Sequence, residues 1–179
     1  GITHVGLANN HTTDFGAEGL AHTRDVFAAA GVQTFGDPNH LATSSVAIID
    51  TVQGPVAVIA IHALYGWPDT VALQTVLSSL PAEVVASVAY VHWGQEYEAL
   101  ASRRQKELAA ELTKAGIDLI IGHHPHVVQN IAQVNGALVL YSLANTVFDQ
   151  YFSMPVQNGL LVTLDFTATD RFIPLHPIS

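Results

Sequence analysis

The chain has 179 residues, of which 49% are hydrophobic and only 12% are charged, so it is long enough to bury a sizeable core. Its 15 acidic residues outnumber 6 Lys and Arg, giving a formal net charge of −9. This balance argues against a nucleic-acid partner and against docking on an anionic lipid surface. There is no cysteine, which excludes disulfides and thiolate metal sites.

Neither a membrane span nor a signal peptide is visible in the sequence. No run reaches the roughly 18 consecutive apolar residues of a spanning helix, so we expect membrane contact only through segments outside this chain. The start, 1–4, lacks a methionine and leads directly into a strand pattern. The tail, 172–179, likewise ends within a predicted element. We therefore expect an internal part of a longer parent protein.

Apolar periodicity and turn residues predict strands that alternate with helices. The first half is predicted to contain a strand over 3–8, a helix over 17–30 ended by Gly31, a strand over 32–35, a hairpin of 46–52 and 56–61, and a helix over 69–80. The second half is predicted to contain a strand over 87–92, a helix over 99–115 stopped by Gly116, a strand over 117–121, a hairpin of 127–134 and 137–143, and strands over 159–166 and 172–175. This order predicts an α/β fold in one domain, residues 1–179.

The segment 122–127 carries the strongest functional signal. Its sequence, Gly-His-His-Pro-His-Val, places three imidazoles within four positions, directly after the apolar run 117–121. We expect Gly122 to turn the backbone sharply at the end of that strand. Neutral imidazole nitrogens bind borderline metals such as zinc, iron or manganese. The pattern therefore favours a metal site over a packed core.

Two other predicted strands end in polar clusters of the same kind. Asn9, Asn10 and His11 follow the first strand, and His92 to Glu96 follow the strand over 87–92. In open α/β sheets, sites form where strands end. We therefore expect the three clusters to meet in one site.

Four motifs in this chain resemble those of the CapA family of poly-γ-glutamate capsule biosynthesis proteins, within the calcineurin-like metallophosphatase superfamily. They are ANNHTTDFG at 8–16, HWGQEY at 92–97, GHHPHVVQ at 122–129 and YSLANTVFDQ at 141–150. The motifs follow the family order and extend over most of the chain, so the signal is specific. The resemblance implies a four-layer α/β/β/α sandwich, N-terminally incomplete here, with a metal-binding face at the strand ends.

The resemblance also implies a role for individual residues. The implied metal ligands are Asn10, His92, His124 and His126. His11 matches a histidine that faces the substrate and donates a proton to the leaving group. Asp14 matches the acid that orients this histidine, and it is equally a natural N-cap for the next helix.

Other polar and aromatic residues near these motifs have less specific roles. Glu96 is a candidate base or substrate contact, and a solvated loop carboxylate is an equal alternative. His123 is expected to be the bystander among the three clustered histidines, and Trp93 and Tyr97 are expected to pack around the site. Five histidines match no motif and are expected to be structural: His4, His22, His40, His62 and His176.

The chain departs from the superfamily pattern at its start. The first two metal-binding blocks, D-x-H and G-D, would precede Gly1, so the carboxylate that normally bridges two metals is missing. Either a segment outside this sequence supplies it, or the chain holds one metal poorly or none. Ala144 and Thr146 replace the usual glycine and phenylalanine, which we expect to change only local packing.

The leading interpretation is a CapA-like, metal-dependent hydrolase of bacterial capsule or poly-γ-glutamate biosynthesis. It implies a divalent metal (Mn, Fe or Zn), with two ions in the full-length protein, and an anionic polymer or a phosphate-containing small molecule as substrate. A capsule-synthesis complex and a membrane-associated position at the cell surface are the expected context of the parent protein. Two alternatives remain open: a general metallophosphoesterase, and a non-catalytic polymer-binding member of an export assembly.

Overall fold

The computed structural model describes residues 1–165 and 175–178. The strands in these ranges are, in chain order, β1 (His4–Gly6), β2 (Gln33–Phe35), β3 (Val46–Thr51), β4 (Gly54–His62), β5 (Ala86–His92), β6 (Leu119–His123), β7 (Ile131–Val134), β8 (Ala137–Leu140), β9 (Gly159–Val162) and β10 (Leu175–Ile178). The strand residues predicted at 166 and 172–174 lie outside the described residues.

The described residues form four α-helices, and side-chain caps define where two of them begin. The helices are α1 (Gly16–Ala29), α2 (Thr70–Ser78), α3 (Arg103–Lys114) and α4 (Met154–Gln157). The Asp69 carboxylate accepts the first free N–H groups of α2, and Ser102 forms a capping box with Gln105. Because Ser102 is the cap, α3 begins after it and not at the predicted residue 99. None of the helices in the described ranges has the length and apolar character needed to cross a membrane.

Six strands form one mixed sheet in the order β3-β4-β5-β6-β8-β7. The four inner strands run parallel, and β3 and β7 pair antiparallel at the two edges. Both predicted hairpins are confirmed. The first turns at Val52 and Gln53 and not at 53–55, because Gly54 already pairs with Thr51. Because the inner strands are parallel, the carboxyl ends of β4, β5 and β6 lie at the same end of the sheet. The polar motifs follow these strand ends.

Two shorter ladders accompany this sheet. Strands β1 and β2 pair in parallel, with α1 as the crossover, and α1 is followed by Gly31 at a φ of 71°. Strands β9 and β10 pair antiparallel. The crossover, the parallel inner strands and the flanking helices confirm the α/β class that the sequence predicted.

The main core is built from the central strands and the helices that cover them. Ile59, Val91 and Ile120 are fully buried on β4, β5 and β6, and Leu112 of α3 packs in the same cluster. Buried parallel strands are apolar on both faces, which explains their continuous Val, Ile and Ala runs. The rigid core fixes the positions from which the polar loops start.

Candidate metal centre

Register within the parallel sheet aligns the ends of three strands. His62, His92 and His123 are the last residues of β4, β5 and β6, and His92 pairs with both of the others. The loops after β5 and β6 carry Glu96, His124 and His126. These imidazoles lie together at one end of the sheet because the strands that precede them are neighbours.

The side chains of Glu96, His124 and His126 converge at that end of the sheet. One donor atom from each lies within 4.8 Å of the other two. Glu96 is exposed, whereas both histidines are partly buried. A carboxylate and two imidazoles at this spacing form a donor set of the kind that holds a divalent transition metal.

His92 and Asn10 form a second pair beside this cluster. Nε2 of His92 lies 2.8 Å from Oδ1 of Asn10, and the ring centres of His92 and His124 are 4.6 Å apart. The loop after β1 thus reaches across to the end of β5. All four predicted metal ligands, Asn10, His92, His124 and His126, lie in one neighbourhood.

The hydrogen bonds of His92 determine its tautomer. The Asn10 oxygen can only accept, so Nε2 of His92 carries the proton and donates it. Nδ1 of His92 then accepts from Nδ1–H of His123, at 2.9 Å. His123 stacks on Tyr90 with ring centres 4.1 Å apart. It positions His92 and stays outside the Glu96–His124–His126 cluster.

The environment keeps these imidazoles neutral. Burial, followed by the charges of neighbouring imidazoles, lowers the pKa of His92 from 6.5 to about 2. Burial likewise lowers the pKa of His123 to about 3. The pKa of His124 is also lowered by burial, although Glu96 opposes that shift. A neutral imidazole is the form that binds a metal, through the lone pair of one ring nitrogen.

The backbone of the two site loops is held in an uncommon conformation. His124, His126 and Tyr97 have positive φ values of 100°, 60° and 66°. Such positions cost about 1–3 kcal/mol each for residues other than glycine and occur preferentially at functional sites. The Tyr97 amide donates to the carbonyl of Pro125 at 2.8 Å, so the two strained loops support each other.

A buried pair of glutamines, Gln105 and Gln129, holds the loops that follow β5 and β6. Nε2 of Gln105 on α3 donates to Oε1 of Gln129 at 2.8 Å, and both side chains are almost completely buried. Gln129 in turn donates to the carbonyl of Glu98 at 2.8 Å. The glutamine that ends the third motif therefore serves to hold the loop that presents Glu96.

Asn145 is a site residue to which sequence reasoning assigned no role. Its Oδ1 accepts a hydrogen bond from Nδ1 of His126 at 2.7 Å, which leaves Nε2 of His126 free to bind a metal. The residue lies in the fourth motif, between the departures at Ala144 and Thr146. Only the three-dimensional structure shows that it lies beside the histidines.

Gly122 has a different role from the predicted turn. It lies inside β6, and the strand continues through His123. A Cβ atom at this position would overlap the carbonyl oxygen of Tyr141 and Nε1 of Trp93. The glycine is required for a close approach, and Trp93, which donates to the same carbonyl at 2.9 Å, is buried packing, as predicted.

His11 and Asp14 are paired, as the resemblance implied. Nδ1 of His11 lies 2.8 Å from Oδ2 of Asp14. The alternative in which Asp14 caps the helix is wrong, because Phe15 occupies the N-cap position of α1 without a side-chain cap. The pair is largely solvent-exposed, so it contributes little to the free energy of folding. Its role is to orient the imidazole ring.

The donor set fits a divalent transition metal. Imidazoles, one carboxylate and one amide oxygen lie together, and Nδ1 of His126 is held by Asn145, the arrangement typical of metal-bound histidines. Glu96, considered above as a substrate contact, lies among these donors. The described residues thus contain a His/Glu cluster suited to a metal.

Comparisons with known proteins identify the family of this chain. Residues 1–150 match the family described as bacterial capsule synthesis protein PGA_cap. The chain is 32% identical to the capsule biosynthesis protein CapA of Bacillus anthracis, over 90% of this chain and 44% of that protein. It is 32% identical to the PGA biosynthesis protein CapA of Bacillus subtilis (strain 168), over 96% of this chain and 49% of that protein. The chain spans about half the length of these curated relatives.

A solved structure shares the fold. The crystal structure of a hypothetical protein from Thermus thermophilus is similar with a TM-score of 0.66, over 99% of this chain and 75% of that chain, at 13% identity. This likeness shows the fold alone. The family match over residues 1–150 confirms the resemblance drawn from the four motifs. The chain belongs to the bacterial capsule synthesis protein family.

Proposed function

We propose that this chain forms the metal-binding part of a hydrolase that acts in poly-γ-glutamate capsule synthesis. The single observation that supports this most directly is the convergence of Glu96, His124 and His126 within 4.8 Å. The names of the two Bacillus relatives supply the capsule context. The donor set supports the proposed chemistry, and the family supports the proposed biological setting.

The residues that would hold the metal are those already brought together. Glu96, His124 and His126 would form one ligand group, and Asn10 with His92 would form the beginning of a second beside it. We propose manganese, iron or zinc, with two ions in a protein that also supplies a bridging carboxylate. When bound there, such an ion would polarise the scissile bond and lower the pKa of a coordinated water.

His11 is proposed to donate the proton to the leaving group. The donor would be the doubly protonated ring, which gives up Nε2–H to the leaving group while Nδ1–H stays directed at Asp14 and fixes the ring. The pair lies on the same loop as Asn10, so a substrate at the metal ligands would come within reach of the ring. Asp14 acts through His11 and is therefore a positioning residue.

The chain has only 6 Lys and Arg with which to hold an anionic substrate, and two of the arginines are paired with carboxylates. Arg103 is paired with Glu107 at 2.6 Å on α3, and Arg24 lies 3.5 Å from Asp37. With a net charge of −9, the chain repels a polyanion unless metal ions supply the positive charge. We therefore propose that poly-γ-glutamate or a phosphate-containing substrate binds only to the metal-loaded protein, at the cell surface within a capsule-synthesis complex.

The test combines metal content with hydrolysis. Elemental analysis of the purified chain, loaded with manganese or zinc and desalted, should find bound metal that the double variant His124→Ala/His126→Ala lacks. His22→Ala, which removes an exposed imidazole on α1, should bind like the wild type. The loaded protein should then shorten poly-γ-glutamate, measured by size-exclusion chromatography.

Three results would contradict the proposal. No bound metal in the wild type would remove its basis. Turnover of a generic aryl phosphate without any shortening of the polymer would favour a general phosphoesterase. Polymer binding that survives a chelator, without cleavage, would favour a non-catalytic binding protein.

A further inference from the structure

We propose that His62 is an additional ligand of the metal held by Asn10 and His92. The inference rests on the metal centre proposed above and assigns it a histidine that no sequence motif contains. The sequence predicted a structural role for His62. The position of its ring and the state of its two nitrogens point to a metal.

Sheet register places His62 beside the site. It is the last residue of β4 and pairs directly with His92 of β5, which pairs with His123 of β6. Register neighbours in parallel strands direct their side chains to the same face. The three imidazoles therefore form a row across the strand ends, with His92 in the middle.

The separation of the two rings is suitable for a shared ion. The ring centres of His62 and His92 are 5.5 Å apart, compared with 4.6 Å between His92 and His124. Two imidazoles that bind one ion at about 2.1 Å through nitrogen have ring centres roughly 5 Å apart. The 5.5 Å between His62 and His92 is close to this spacing.

The hydrogen bonding of His62 leaves one lone pair unused. Its Nδ1 lies 2.7 Å from the carbonyl oxygen of Pro38. A carbonyl can only accept, so Nδ1 carries the proton and Nε2 has a free lone pair. Ligating histidines typically donate their second ring N–H to a backbone carbonyl in this way.

Nε2 of His62 is buried and has no hydrogen-bond partner among the described residues. A buried acceptor without a partner costs about 1–3 kcal/mol. The adjacent ring of His92 cannot relieve it, because its one N–H is directed at Asn10. An ion that took the place of this proton would bind Nε2 of His92, Oδ1 of Asn10 and Nε2 of His62 together. A cation is the partner that this lone pair and the neighbouring donors have in common.

The experiment measures metal affinity, without reference to activity. Zinc and manganese are titrated into the metal-free chain by calorimetry, for wild type, His62→Ala and His62→Phe. His40→Ala is the matched control, because His40 is exposed and lines the same cavity of about 320 Å³ as His62. We expect His62→Ala and His62→Phe to weaken binding by about 10–100-fold, and His40→Ala to bind like the wild type.

A spectroscopic measurement on the wild type covers the case in which the variants fold poorly. In nitrogen-labelled protein loaded with an NMR-active cadmium isotope, Nε2 of His62 should show scalar coupling to the metal. Coupling to His92 and His124 without coupling to His62, or unchanged affinity in the folded His62 variants, would overturn this inference and leave the metal centre standing. Failure of the wild type to bind any metal would overturn both.

Discussion

Nδ1 of His126 lies 2.7 Å from Oδ1 of Asn145, and this contact joins the loop after β6 to the segment after β8. The amide of Asn145 is itself oriented, because its Nδ2 donates to the carbonyl of Val156 at 2.9 Å. The oxygen must therefore face the imidazole. A residue from the last family motif thus fixes the tautomer of a histidine from the third.

Replacing Asn145 with alanine should weaken metal binding without removing a ligand. His126 loses the acceptor that fixes its tautomer and ring orientation, so we expect about 10–100-fold lower affinity. Asn145→Asp retains an oxygen acceptor and should recover part of the loss. Competition with a chromophoric chelator measures both, and equal affinities for wild type and Asn145→Ala would contradict the assignment.

Gly122→Ala should destabilise the fold strongly. The added Cβ would overlap the carbonyl of Tyr141 and the indole nitrogen of Trp93, and neither can move without breaking their hydrogen bond. Overpacking of this kind costs about 1–3 kcal/mol or more. Gly66→Ala is the matched control, since a Cβ there has open space. Urea denaturation should separate the two variants, and equal midpoints would show that the close contact is tolerated.

The sequence predicted the secondary-structure elements and the motifs better than the contacts between them. Apolar runs identified β4, β5 and β6 because these strands are buried on both faces, and strand-end motifs identified the donors. The roles of Asn145, His123 and His62 depend on which strand ends are neighbours and on which nitrogen each carbonyl or amide faces. Gly122 shows the same limit, because its conformation is ordinary and the need for glycine arises from Tyr141 and Trp93 across the fold.

Acid should destabilise the metal-free protein below about pH 6.5. The folded state holds His92 and His123 neutral, with pKa values lowered to about 2 and about 3, whereas the unfolded chain takes up protons near 6.5. The unfolded state therefore binds more protons, and the free energy of unfolding falls as the pH falls. Each histidine contributes a slope of at most about 1.4 kcal/mol per pH unit.

Denaturant titrations of chelator-treated protein between about pH 7 and pH 5 test this slope. His123→Gln removes one of the two imidazoles with a lowered pKa and should reduce the slope, whereas His22→Ala, at an exposed position of α1, should leave it unchanged. A free energy of unfolding that stays constant over this range would show that these rings are protonated in the folded state.

Gln129→Ala should loosen the loop that presents Glu96. The substitution removes the hydrogen bond to Gln105 and the donor to the Glu98 carbonyl, and it leaves the buried amide of Gln105 without its acceptor. An unsatisfied buried donor costs about 1–3 kcal/mol, so we expect a lower free energy of unfolding together with weaker metal binding. Gln74→Ala, at an exposed position on α2, removes the same side chain from a site without such contacts. Calorimetry and denaturation on the two variants decide the matter: a Gln129→Ala protein as stable as Gln74→Ala would mean that the glutamine pair does not support the site.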